Sequence, residues 1–94
     1  MTITDIKFRK ILDKGRLKGI VSVTFDDIFA VHDIKVIEGE NRLFVAMPSR
    51  RDETGIFRDI VHPINASARK NIEAMILSAY KEELSRQSEK SDPS

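Results

Sequence analysis

The 94-residue sequence predicts an α+β domain: a curved, mainly antiparallel sheet of about five strands followed by one C-terminal helix. Three observations carry that expectation. Short segments of alternating or continuous apolar character succeed one another up to residue 64, punctuated by Gly, Asp and Asn. From Ala66 the spacing becomes helical, with Ala68, Ile72, Met75, Ile76, Ala79 and Tyr80 on one stripe at 100° per residue. All the strands precede the helix, so the chain lacks the strand–helix alternation that builds a parallel sheet.

The first strand is expected over residues 1–12, with Ile6, Phe8 and Lys10 on one side and Lys7 and Arg9 on the other. Lys14-Gly15 turns the chain into a second strand, Lys18 to Phe25, where Val21, Val23 and Phe25 share a face and Ser22 and Thr24 share the other. Asp26-Asp27 supplies the next tight turn. In the third strand, Ile28 to Ile37, Phe29 and Val31 lie on one parity and Ile34 and Val36 on the opposite one. A β-bulge near His32-Asp33 reconciles the two halves.

Glu38-Gly39-Glu40-Asn41 leads into the continuous apolar run Leu43–Met47, which Pro48 ends. Ile56 to Ile64 is mostly apolar and β-branched, so a fifth strand, buried like the fourth, is expected there after a return at Gly55. Asn65 is the N-cap of a helix running to about Arg86. Ala66, Leu77 and Leu84 widen its apolar arc to roughly 200°, where a helix lying on a sheet needs little more than ~100°. The surplus points either to burial on a second side, against a partner subunit, or to an ordinary exposed leucine. Gln87–Ser94 carries no apolar residue and is expected to be a disordered tail after a single domain over residues 1–86.

Composition bounds the function. The chain has no cysteine, which removes disulfides, thiolate metal sites and a Cys nucleophile. No stretch approaches the ~20 apolar residues of a membrane helix, and the N-terminus lacks the pattern of a signal peptide, so a soluble cytoplasmic protein with no membrane partner is expected. Net charge is +1, but its distribution is uneven. Residues 1–25 hold six basic side chains against two acidic ones, and residues 48–70 hold five against three. If folding joins these regions, a basic face results; otherwise the surface is of ordinary mixed charge.

His32 beside Asp33, and His62 three residues after Asp59, are the candidates for catalysis or metal binding. Neither histidine has a metal or hydrolase spacing, and no Gly-rich phosphate loop or Ser-centred elbow occurs. Adjacent strand residues also point to opposite faces, so His32 and Asp33 should not meet. We expect no enzyme, no catalytic residue, no metal or cofactor and no small-molecule substrate.

The better candidates bind nucleic acid. Arg50 and Arg51 at a loop tip can make bidentate contacts to phosphate or to a guanine edge. Arg58 either faces a nucleic-acid groove or forms a salt bridge with an acid of the neighbouring strand, whereas Asp59 accepts hydrogen bonds at a turn or from His62. Ser67, Arg69 and Lys70 lie at or just beyond the first helical turn, where free amides accept phosphate oxygens and where cations oppose the helix dipole.

The chain resembles the stage V sporulation protein G family, the septation regulators of bacteria. The resemblance is carried by Val31-His32-Asp33-Ile34-Lys35-Val36-Ile37, Leu43-Phe44-Val45-Ala46-Met47-Pro48-Ser49 and Phe57-Arg58-Asp59-Ile60-Val61-His62-Pro63-Ile64-Asn65. It extends through most of residues 1–80, including the Ser67…Arg69…Ile72…Tyr80 helix pattern. The resemblance implies a small homodimeric regulator that binds DNA, and in some members RNA, and that affects septation, sporulation or virulence genes. This chain has Arg50-Arg51 where the family commonly has Lys-Arg, Val61 where it has a smaller Ala, and Ile56 where it has a polar residue. The competing expectation is a protein–protein adaptor on division or transcription machinery that never touches nucleic acid.

Overall fold

The computed structural model describes residues 2–90, with side chains described through Gln87. Six strands and one helix follow in order: β1 (Ile3–Ile11), β2 (Leu17–Phe25), β3 (Phe29–Glu38), β4 (Leu43–Ala46), β5 (Ser49–Arg51), β6 (Phe57–Asp59) and α1 (Ala66–Lys90). The α+β class is as expected, and β1 to β4 form an antiparallel sheet in sequence order. The residues expected as a fifth strand do not join it. Phe57–Asp59 instead pairs with Ser49–Arg51 as a separate two-stranded ribbon. Pro48 has no N–H to extend the β4 ladder, and a tight turn over residues 52–56 folds β6 back onto β5. The amide of Ile60 closes the base of the ribbon by donating to the Pro48 carbonyl at 2.8 Å.

Bulges shape the main sheet. Between Val23↔Val31 and Val21↔Ile34 two residues of β3, His32 and Asp33, oppose Ser22 alone. Asp33 takes φ 63°, a left-handed conformation that aspartate tolerates better than most side chains. This is the bulge that the phase change in β3 requires. Two more occur in β1, at the register shifts between Ile3 and Asp5 and between Phe8 and Lys10. They put Ile3, Ile6, Phe8 and Ile11 on the core side and leave Lys10 exposed, contrary to a regular alternation. Asp26 and Asp27 both have positive φ, 53° and 57°, the pattern of a type I′ turn, closed by Ile28 N–H donating to Phe25 O at 3.0 Å.

The core lies between one sheet face and α1. Val21, Val23, Phe25, Val31, Ile34, Val36 and Val45 meet Ile76 and Tyr80 of the helix. The Tyr80 ring stands 6.1 Å from that of Phe8 at a tilted angle, and it lies over Gly19. Asn65 caps the helix as expected: its Oδ1 accepts the Ala68 amide at 2.7 Å. Leu77 is half-buried against the core of its own chain, which answers for part of the wide apolar arc, while Met75 on the other flank is 45% exposed. The helix runs to Lys90, past Arg86, and residues 91–94 of the polar tail lie outside the described residues.

Large apolar side chains remain uncovered at one end of the molecule. Ile28 (84% exposed) and Phe29 cap the β2–β3 turn, and Ile56, Phe57, Ile60, Val61 and Ile64 (88%) line the ribbon and the link to α1. The segment expected to be a buried strand is therefore solvent-facing in the single chain.

Candidate nucleic-acid interface

The β5–β6 register decides which arginines act together. Arg50 stands directly opposite Arg58, while Arg51 stands opposite Phe57 and Ser49 opposite Asp59. Directly opposed residues share a face and successive residues alternate, so Arg50 and Arg58 form one cationic pair and Arg51 lies on the other side. Arg50 and Arg51, expected at a loop tip, lie instead in β5 on opposite faces of the ribbon. Like charges opposite one another are unfavourable unless a counter-charge is near.

Asp52 supplies that counter-charge. Its Oδ2 accepts from Arg58 Nε at 2.6 Å. Its Oδ1 accepts the Thr54 hydroxyl at 2.6 Å, the Thr54 amide at 2.9 Å and the Ile56 amide at 3.1 Å. These bonds hold the carboxyl at about pKa 2, below its usual 3.8, with the Thr54 hydroxyl the largest cause and Arg58 the next. The same residue closes the turn through its backbone, donating to Ile56 O at 2.9 Å and accepting from Gly55 N at 3.0 Å. Gly55 reverses the chain at φ 87°, and a Cβ there would stand 3.4 Å from Arg51 Nη2, so the Arg51 guanidinium lies along the turn. Arg58 thus takes the salt-bridge alternative while keeping a side chain that is 70% exposed. Asp59 makes neither bond expected of it: the turn-organising carboxylate is Asp52, announced in the sequence by the spacing Asp52-x-Thr54-Gly55.

Ser67, Arg69 and Lys70 are exposed together at the start of α1, whose first turn holds no acidic residue. They form a second cationic group, joined to the ribbon through residues 60–65. The basic N-terminal segment does not merge with either group by strand pairing, because β1 and β4 are opposite edges of the sheet. Lys35, paired with Ala46 just before the ribbon, is the sheet cation nearest to it in register.

The histidines are apart in the fold. His32 Nδ1 is 2.8 Å from Ser22 Oγ on the sheet face away from α1, and exposed His62 has Nδ1 3.1 Å from the Pro63 carbonyl. Among the described residues no group of three or more His, Asp or Glu is arranged to hold a metal, and no helix is long and apolar enough to cross a membrane.

Comparison with known proteins is consistent across the chain. The family model SpoVG matches residues 1–82. A protein of Desulforudis audaxviator named "Putative septation protein SpoVG" is 64% identical over 80 residues, 85% of this chain and 91% of the relative. Proteins of the same name are 60% identical over 84 residues in Acholeplasma laidlawii (89% of each chain) and 58% identical over 84 residues in Clostridioides difficile (89% of this chain, 91% of the relative).

Proposed function

The chain belongs to the SpoVG family, and on that premise we propose that it is a nucleic-acid-binding regulator of septation and sporulation-related genes, acting as a homodimer without catalytic activity or cofactor. The observation that supports this most is the Arg50–Arg58 pair on a projecting two-stranded ribbon. A ribbon of two strands has the width that the major groove of B-DNA admits, and guanidiniums on one of its faces meet phosphates or guanine edges. Asp52 fixes the turn and holds the exposed Arg58 beside Arg50 on one face, while Arg51 stands on the other. Ser67, Arg69 and Lys70 add backbone contacts at the helix start.

Dimerisation has its own support. Phe29, Val61 and Ile64 line an apolar cleft with Phe25, Met47, Pro63 and Ile72, and their chain neighbours Ile28 and Ile60 are exposed as well. A 94-residue domain gains from covering so much apolar surface. A dimer presents Arg50, Arg51, Arg69 and Lys70 twice. If six of these eight cations meet phosphates, the log–log salt slope on duplex DNA is about −5, and affinity falls ~10³-fold between 50 and 200 mM salt.

The test is a salt titration of binding by fluorescence anisotropy, on duplex DNA and single-stranded RNA, beside the Arg50→Ala/Arg51→Ala variant. A steep slope that flattens in the variant supports the reading. Flat, weak binding of the native protein to both nucleic acids overturns it. The same cleft favours a second reading, a protein–protein adaptor, whose binding would ignore salt and the arginines but respond to the exposed isoleucines.

A further inference from the structure

The helix covers one face of the four-stranded sheet, and the other face is open. Its composition follows from the register. One cross-strand row reads Lys10, Ile20, Lys35, Ala46, and the next reads Lys7, Ser22 and the bulge at His32. Arg9, displaced by its bulge, lines the same hollow as Lys10, Ile20, Ser22, His32 and Asp33. Neighbouring strands lie about 4.8 Å apart and alternate residues about 6.7 Å apart along a strand. Lys7, Lys10 and Lys35 therefore rise from a patch on the order of 7 by 10 Å. Asp5 and Asp33 are the acidic side chains there, against four cations.

Between the cations the floor is apolar. Ile20 lies between Lys10 and Lys35, with Ile37 and Phe44 paired in the adjacent row. Phe44 packs over Gly39 of the β3–β4 turn, where a Cβ would stand 3.3 Å from the ring. A duplex offers such a floor only phosphates and sugars. An unpaired strand offers phosphates to the lysines and base faces to Ile20, Phe44 and His32, the combination of cationic track and stacking platform that binds single strands. The Lys10–Lys35 row also ends at Ala46, three residues before the ribbon begins.

We propose that the open sheet face is a second nucleic-acid site, specific for single strands, with Lys7, Lys10 and Lys35 on phosphates and Phe44 and Ile20 beneath the bases. It rests on the nucleic-acid reading above and adds a division of labour: the ribbon takes duplex, the sheet takes unpaired strand.

The test measures anisotropy of the full chain with an oligo(U) strand and with a duplex DNA of equal length, using native protein, Lys7→Gln/Lys10→Gln/Lys35→Gln and Arg50→Ala/Arg51→Ala. The sheet variant should bind oligo(U) about 10²-fold less tightly at 0.1 M salt, with a slope shallower by about 2, and should keep its duplex affinity within about twofold. A single Lys35→Glu change, with a melting curve to show an intact fold, should weaken oligo(U) binding alone. Unchanged oligo(U) binding in both sheet variants, or equal loss on both ligands, overturns the proposal while leaving the ribbon reading in place. Failure of the native protein to bind either ligand overturns both.

Discussion

Glu73 of α1 accepts a hydrogen bond from the backbone amide of Val45 at 3.1 Å, across the otherwise unpaired edge of β4. A helix side chain thus occupies a donor that an exposed sheet edge would offer to another chain. Arg42 approaches the other carboxylate oxygen at 3.9 Å. Val45 is buried, so Glu73→Ala should leave its amide without a partner and cost about 1–3 kcal/mol. Chemical denaturation measures the loss. A variant as stable as the native protein would show that water replaces the carboxylate.

Asp52 predicts a pH dependence confined to the ribbon. Its folded pKa, about 2, lies below the ordinary 3.8, so the carboxylate form is the one the fold favours. The contribution is fully present above pH 4 and is lost as pH falls through 2. Protection of the Thr54 and Ile56 amides, relative to their intrinsic exchange at each pH, should fall over that window, and Asp52→Asn should show the lower protection already at neutral pH. The Asn variant should also let Arg58 swing free while the four-stranded sheet stays intact.

The uncovered apolar end predicts the effect of Ile60→Ser/Ile64→Ser on self-association. If each isoleucine is buried in the dimer, its loss removes about 1.5–3 kcal/mol, so each change should raise the dimer Kd by tenfold or more. Sedimentation equilibrium reads this directly. An unchanged Kd would place the dimer contact elsewhere and leave these residues to a different protein.

Removing the helix cap offers a purely local control. Asn65→Ala frees the Ala68 amide and should cost about 1 kcal/mol, a fall of roughly 4–8 °C in Tm. With Ser67, Arg69 and Lys70 on phosphates, fraying of this turn should weaken nucleic-acid affinity too, and an unchanged affinity would remove the helix start from the interface.

Much of the fold could be read in the residues because local and long-range demands agree. The β3 bulge is visible as a parity change between Val31 and Ile34, and the cap as Asn65 before a helical stripe. The ribbon escaped because Ile56, Phe57, Ile60, Val61 and Ile64 have the composition of a buried strand and nothing local says that they lack a covering layer. The same blindness hid the Arg50–Arg58 pair, since adjacency along the chain suggests Arg51 as the companion and only the register reveals Arg58. In β1 the two irregularities are also parity changes, Ile3 and Ile11 being odd where Ile6 and Phe8 are even, but Lys10 continues the even run and disguises the second.

Those irregularities make the bend of the sheet separable from its core. Take Arg9 out of the register and Phe8, Lys10 and Ile11 still face Val21, Ile20 and Gly19, now in unbroken alternation. Deleting Arg9 should flatten the edge strand without moving an apolar side chain out of place. Curvature here is carried by single insertable residues, so a one-residue change in chain length at this position alters the shape of the open face and spares the interior.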